Sequence, residues 1–299
     1  MSPGAFVQRA LILFWPSAAL LIGALCAWNV WAGDDLQQQL TAEYVNKILT
    51  LRKPYSGDRL QFGAGGELQG EAKLGPWTVD GQVEAKSVTL ADRSLKIEGR
   101  RVRLFFDPFR RRFRDIGSVR QGDRAAGLFK TFADRERWQQ LAEQPVEIDV
   151  ELASESPDAT EISLATEAIF LSPTEAPADS SFWQSYFADK NSAGEADAEF
   201  PEDLYRNHED GVSPPTPLVT PNPEYSDAAR EAGFRGRVGL SLVVDKDGSP
   251  RNIQVVDPAG LGLDEASVNA VRQWKFRPGE KEARPVNVQL QVEMGFRLY

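Results

Sequence analysis

The pattern with the clearest chemical use is the strict alternation of apolar and polar residues from Val286 to Leu298. Every even position is apolar, and the odd positions carry Asn, Gln, Gln, Glu, Gly and Arg. A period of two predicts a β-strand with one face on a core and one in water. Because this strand ends the sequence, we expect an open edge that can pair with another extended backbone. Asn287, Gln289 and Gln291 are then expected on the open face, in contact with the partner.

Other side chains give little sign of catalysis or metal binding. The 299 residues include one histidine, His208, and one cysteine, Cys26, which nearly excludes histidine-based triads and thiolate metal sites. Asp245-Lys-Asp-Gly248 resembles the opening of a calcium loop. It lacks a third acidic ligand and the terminal glutamate, so a hairpin turn is the better interpretation. We expect no enzyme activity, no cofactor and no metal.

The residues before the terminal strand predict the elements that position it. The expected order is helix, strand, strand, helix, strand, with the first four at Ala228 to Ala232, Arg237 to Val244, Arg251 to Val256 and Asp264 to Gln273. The hairpin and the terminal strand should form a three-stranded antiparallel sheet with both helices on one face. The fold class expected for the whole chain is α+β.

A family resemblance rests on residues spread through this segment. They are Pro223-Glu-Tyr-Ser-Asp-Ala-Ala-Arg230, Gly233, Gly236-Arg-Val238, Val244-Asp-Lys-Asp-Gly248, Leu263-Asp264, Ala270-Val271, Trp274-Lys-Phe276-Arg-Pro278 and Pro285-Val286. Together with the terminal strand, this pattern resembles the C-terminal domain of TonB-family energy transducers over about residues 216–299. The resemblance implies a periplasmic domain that grips the N-terminal segment of a TonB-dependent outer-membrane receptor by strand addition to its last strand. It also implies that Pro223 and Tyr225 contact that partner.

The first 33 residues are predicted to be a membrane anchor or a signal peptide. Ala10 to Ala32 is almost wholly apolar, with Arg9 before it and Asp34 after it. About 20 apolar residues cross a bilayer, and the charges place the N-terminus in the cytoplasm. We therefore expect one inner-membrane anchor with the bulk of the chain in the periplasm. The small-residue context of Val30-Trp31-Ala32 leaves a cleaved, soluble periplasmic protein as the alternative.

Transducers of this family also couple to a proton-driven motor of ExbB and ExbD type, and the resemblance implies such a partner. In the family, that coupling depends on a histidine in the membrane helix. Ala10 to Ala32 contains no histidine. This departure puts motor coupling in doubt, not receptor binding.

Residues 34–170 are predicted to form a separate β-rich α+β domain of unknown role. Apolar residues at helical spacing predict a helix from Asp35 to Leu49. Short alternating runs separated by glycines then predict a β-meander at Leu60 to Phe62, Trp77 to Val79, Val83 to Leu90, Leu95 to Ile97 and Val102 to Phe106. A helix near Asp134 to Glu143 and a strand at Val146 to Leu152 follow, and Ala159 to Phe170 leans helical.

This domain carries a dense basic stretch. Residues 93–137 contain fourteen Lys and Arg against six Asp and Glu. The alternation of Arg101 and Arg103 with Val102 and Leu104 predicts a solvated or self-paired strand face. Lipid headgroups or anionic glycans are the alternative partners. Nucleic acid is not expected, because an exported protein does not normally meet it.

Residues 171–215 are predicted to be a flexible linker, because ten acidic and two basic residues fall between Leu171 and Gly211. The sequence thus predicts a periplasmic TonB-like protein that binds an outer-membrane receptor through residues 216–299. It would support energy-dependent transmembrane transport. The alternative is a non-energised envelope scaffold or adaptor whose middle domain binds an anionic envelope component.

Overall fold

A computed structural model describes residues 35–172, 175, 204–206 and 211–298 of the chain. The predicted anchor at residues 10–32, together with Cys26 and His208, lies outside the described residues. Within the described part, no helix is both long and apolar enough to cross a membrane.

The middle part of the chain alternates short helices and strands. Its elements are α1 (residues 35–44), β1 (Ile48–Thr50), β2 (Arg59–Phe62), β3 (Leu68–Gln69), α2 (Trp77–Asp80), β4 (Gln82–Ala91), β5 (Ser94–Arg101), β6 (Leu104–Asp107), β7 (Arg112–Asp115), α3 (Arg135–Ala142), β8 (Pro145–Glu151) and α4 (Ala159–Ile169). Three turns of 3₁₀-helix lie between β7 and α3.

The C-terminal part adds seven strands and two helices. They are β9 (Leu204–Arg206), β10 (Thr216–Val219), α5 (Asp227–Glu231), β11 (Gly236–Val244), β12 (Pro250–Asp257), α6 (Leu263–Val271), β13 (Lys275–Arg277), β14 (Gly279–Lys281) and β15 (Arg284–Phe296). The whole chain is therefore of the α+β class.

Six strands of the middle part form one sheet in the order β1-β4-β5-β8-β2-β3. The pairs β4–β5 and β5–β8 are antiparallel, while β8 and β2 are parallel. Val83, Ile97 and Ile148 point from this sheet into a core that Leu40 of α1 and Ile162 of α4 complete. Three runs of the predicted meander, at residues 60–62, 83–90 and 95–97, therefore lie in this sheet, which two helices cover. The run predicted from Val102 to Phe106 contributes instead to β6, which pairs with β7 in a separate two-stranded sheet.

Two further predictions for this part need correction. The helix predicted from Asp35 to Leu49 ends at residue 44, because Asn46 adopts a φ of 61° and the next residues pair with β4 as β1. The run from Trp77 to Val79 is helical, not extended. It follows Pro76, whose φ of −66° suits the entry to a helix, and three residues are too few to show a period.

The C-terminal sheet is built around β11, which lies between β12 and β15. Apolar side chains of β11, such as Val238 and Leu240, pack with Ala229 of α5 and Val268 of α6 in one core. The predicted order of helices and strands is present here. The short strands β9, β10, β13 and β14 are additions that the sequence pattern did not predict.

One hydrophobic core joins the C-terminal part to the segment from β6 to α3. The ring of Phe129 lies 5.0 Å from Phe105 and 5.0 Å from Phe234, measured between centroids. Backbone pairing continues the contact, since the N–H of Phe106 donates to the carbonyl of Ala259 at 2.7 Å. The two parts are thus fixed to each other by buried aromatic packing and by hydrogen bonds.

A buried carboxylate fixes the turn at this junction. Asp264 is fully buried and accepts hydrogen bonds from the N–H groups of Ala259 and Gly260 at 2.8 and 2.6 Å. Burial raises the pKa of Asp264 to about 6, against the opposing effect of these donors. Nearby, the N–H of Gly262 donates to Thr78 Oγ1 at 2.8 Å, which ties α2 to the start of α6.

The shared core predicts a large effect of Phe105→Ala on stability. Phe105 is fully buried, whereas Phe109 in the same segment is 46% exposed and provides a matched control. We expect Phe105→Ala to lower the free energy of unfolding by about 3–5 kcal/mol and Phe109→Ala by less than about 1 kcal/mol. Denaturant unfolding of the full chain measures both values. Equal, small effects would show that Phe105 does not hold the two parts together.

Candidate partner-binding edge

The long strand β15 supplies the candidate site. Its pairing with β11 runs without a bulge from Val244 opposite Val288 to Gly236 opposite Phe296. This regular register shows which backbone N–H and C=O groups of β15 bond to β11. The other backbone groups of β15 form its second hydrogen-bonding edge.

The direction of the backbone groups follows from the turn after β11. The N–H of Asp245 donates to the carbonyl of Ser249 at 2.9 Å, so Asp245 faces the β12 side and Val244 faces β15. In an antiparallel ladder these directions alternate, so Val288 and the even residues after it face β11. The odd residues present their N–H and C=O groups to the opposite edge: Gln291, Glu293 and Gly295.

From Leu290 to Phe296, no strand among the described residues pairs with this opposite edge. The earlier part of β15 is different. On this edge β9 runs parallel to Asn287 through Gln289. The hairpin strand β14 pairs with residues 284–286 on the other edge, in line with β11. The edge of β15 therefore has a covered first part and an open second part.

The three polar residues predicted at the site fall on both parts. Gln291 is exposed beside the open edge. Gln289 is half-buried and its Nε2 donates to Ser241 Oγ at 3.2 Å. Asn287 is 6% exposed, although the alternation predicted it on the open face, and β9 pairs beside it.

Pro223 and Tyr225 lie in the segment that leads into α5, at the far end of β15. The ring of Tyr225 stands edge-on to Phe296, with centroids 5.5 Å apart, and its hydroxyl donates to the carbonyl of Phe234. Burial raises the pKa of the Tyr225 hydroxyl. From Asn287 to Phe296, β15 covers about 30 Å at about 3.3 Å per residue. The structure therefore places Tyr225 at the end of the open edge, well away from Asn287.

The basic stretch does not form a free cationic face at its centre. Arg101 is 3% exposed and donates to the carbonyls of Asp80, Tyr55 and Gly57 at 2.6, 2.7 and 2.8 Å. Arg103 is 8% exposed. The prediction of a solvated face is wrong for these two residues, because the guanidinium of Arg101 holds three backbone carbonyls and that of Arg103 donates to Gln144 Oε1.

The second dense part of this stretch is paired with nearby acids. Arg110 and Arg114 both contact Asp107 and Asp123, at 2.7 to 3.0 Å. Burial alone would raise the pKa of Asp123, but hydrogen bonds from the N–H of Ala125 and from the two guanidinium groups lower it to about 2. This network agrees with the self-paired interpretation, since the acids that pair with the arginines lie in the same stretch of sequence.

The open edge lies in a segment that matches a known protein family. Residues 221–298 match the family model of the Gram-negative bacterial TonB protein C-terminal. Residues 221–298 form a TonB C-terminal domain. The open edge of β15, from Leu290 to Phe296, lies within it.

Curated relatives are similar to this chain over segments of about 80 residues. The chain is 37% identical over 82 residues to Protein tonB2 of Pseudomonas aeruginosa, covering 27% of this chain and 30% of that protein. It is 30% identical over 77 residues to Protein TonB of Vibrio cholerae serotype O1, covering 25% of this chain and 32% of that protein. The matched segment thus spans about a third of the length of each relative.

Among solved structures, a solution NMR structure of the Pseudomonas aeruginosa TonB C-terminal domain matches at 21% sequence identity. The match covers 31% of this chain and 93% of that chain, with a TM-score of 0.24.

Sequence reasoning missed β9, although this strand changes the site. Leu204 and Tyr205 lie in an acidic segment with no alternation, so nothing local predicted a strand there. Its extended form comes from pairing with β15. The one available signal was an apolar and an aromatic residue side by side between Asp203 and Arg206.

Amide hydrogen exchange tests the division of the β15 edge. We expect the N–H groups of Gln291 and Glu293 to exchange at least about tenfold faster than those of Leu290 and Val292, because the latter bond to β11. The N–H of Gln289 should exchange more slowly than that of Gln291, since β9 pairs beside it. Residue-resolved exchange by NMR measures these rates. Equal protection of Gln291 and Val292 would mean that both edges of β15 are bonded.

Proposed function

We propose that this protein is a periplasmic TonB-like protein that binds an outer-membrane receptor by strand addition to β15. By this binding it supports energy-dependent transmembrane transport. The observation that carries the proposal is the open edge from Leu290 to Phe296 in a TonB C-terminal domain. An incoming extended segment would complete the hydrogen bonds of this edge and lengthen the sheet by one strand.

The backbone supplies most of the proposed affinity. Gln291, Glu293 and Gly295 each direct an N–H and a C=O toward the open edge, so a partner strand finds a regular row of donors and acceptors. Because these groups belong to the main chain, pairing tolerates many partner sequences. Specificity then falls to side chains along the edge, of which Gln291 is the exposed predicted one.

Tyr225 has a supporting role in this arrangement. Its hydroxyl and ring are used within the domain, where they contact Phe234 and Phe296 and hold the segment before α5 against the end of β15. Pro223, two residues earlier, is also half-buried, and in this proposal it contacts the partner. In this proposal the partner passes Pro223 as it leaves the open edge.

The proposal places the protein at the inner membrane through Ala10 to Ala32, with the remainder in the periplasm. Coupling to an ExbB and ExbD type motor stays a prediction, because the apolar segment contains no histidine. Co-purification of motor subunits with the full-length chain tests it independently of receptor binding.

Gln291→Pro tests strand addition directly. Proline has no N–H and cannot donate to a partner strand, and the N–H of Gln291 is not used by β11, so the fold should tolerate the change. Binding of synthetic peptides from the N-terminal segments of outer-membrane receptors should weaken by at least about tenfold. Isothermal titration with the full-length chain measures the affinity.

Gln291→Ala is the matched control, since it keeps the N–H and should change affinity by no more than about twofold to threefold. Unfolding curves of both variants should match the wild type within about 1 kcal/mol. A folded Gln291→Pro variant that still binds receptor peptides at full affinity contradicts strand addition at this edge.

A further inference from the structure

The first part of the β15 edge already holds a strand from elsewhere in the chain. Leu204, Tyr205 and Arg206 run parallel to β15, with partners Asn287, Val288 and Gln289 in register. These three residues come from the acidic segment that precedes the TonB C-terminal domain in the sequence. The chain thus performs strand addition on itself.

The strand β9 occupies the same edge that is open further along. Val288 pairs with Val244 of β11 and also with Tyr205 of β9. Since a strand has two edges and β11 occupies one, β9 must lie on the other. A longer incoming strand that used the whole edge would therefore meet β9 at Asn287 to Gln289.

Side chains at this position form a small pocket for the ring of Tyr205. Val212, Val286 and Val288 make a cluster of their own, separate from the two large cores, and the ring of Tyr205 packs against it. The Nζ of Lys281 lies 4.4 Å from the centroid of that ring, a cation–π distance. The backbone register and the ring pocket together select an extended segment with an aromatic residue in the middle position.

The strand β9 is also short enough to be displaced by another extended segment. Three paired residues make few hydrogen bonds, and Leu204 and Tyr205 are half-buried while Arg206 is exposed. Strands of this length are held by tertiary contacts and not by their own stability. The covalent connection to the rest of the chain compensates for this weak pairing, because it keeps β9 at an effective concentration of order millimolar near the edge.

We propose that residues 286–289 of β15, with Val212 and Lys281, form an acceptor site for a parallel extended segment that carries an aromatic residue, and that β9 is its displaceable resident. This inference rests on the proposed function, since it assigns the partner's chemistry at the same strand. A partner then competes with Tyr205, and its apparent affinity is its intrinsic affinity multiplied by the fraction of molecules in which the site is free.

A peptide added in trans tests the acceptor site without any receptor. The probe is a synthetic peptide with the sequence of residues 201–208, and the protein is the full-length chain with Tyr205→Pro, which removes the resident N–H and ring. Chemical shifts of the Asn287 and Gln289 amides report binding up to the millimolar range. We expect saturable binding, at least about tenfold weaker for a peptide with alanine in place of its tyrosine. Wild-type protein should bind the first peptide at least about threefold more weakly than the variant.

A reversible disulfide that holds β9 on β15, called the lock below, provides a second experiment. Neighbouring strands lie about 4.8 Å apart, which suits a disulfide between Arg206→Cys and Gln289→Cys in a chain that also carries Cys26→Ser. We expect the oxidised protein to reject the peptide and the reduced protein to accept it. The inference is overturned if Tyr205→Pro protein binds no peptide, if it binds the tyrosine and alanine peptides equally, or if the lock has no effect.

Receptor peptides separate this inference from the proposed function. If they fail to bind while the trans peptide binds, the acceptor site stands and the receptor function does not. If they bind wild-type, Tyr205→Pro and oxidised proteins with one affinity, receptor binding stands and displacement of β9 is wrong.

Discussion

The backbone of β15 has two hydrogen-bonding edges, and its pairing with β11 uses one of them from Val288 to Phe296. Receptor binding and the acceptor site both depend on which parts of the other edge are paired and which are open. Buried backbone groups must be paired, and exposed ones stay available for pairing with another chain. Over Asn287 to Gln289 that edge is covered by β9, and over Leu290 to Phe296 it is open among the described residues.

An open edge is useful only on a rigid sheet, and the middle part of the chain contributes to that rigidity. Phe105 and Phe129 insert into the same core as Phe234, which lies two residues before the start of β11. The buried arginines strengthen the middle part itself, since Arg101 holds three backbone carbonyls in place. The basic stretch therefore serves packing to a large extent, which favours a supporting role for this region over anion binding.

The sequence predicted best where the signal was local and periodic. Alternation from Val286 onward was enough to place β15, and the glycine-containing turn at Asp245 to Gly248 was enough to place the β11–β12 hairpin. Prediction failed where distant contacts decide the conformation. Tyr205 becomes extended because it packs near Val288, and Asn287 is buried beside β9. The core shared by Phe105 and Phe234 joins residues far apart in sequence, so no local pattern indicated it.

Site-specific photo-crosslinking in living cells tests the central claim most directly. A crosslinking residue in place of Gln291 sits beside the open edge, and one in place of Leu164, which is 64% exposed on α4, serves as an exposed control. Strand addition predicts adducts with an outer-membrane receptor from position 291 and none from position 164. Receptor adducts from position 164 alone, or from neither position while receptor-dependent transport continues, would contradict the account.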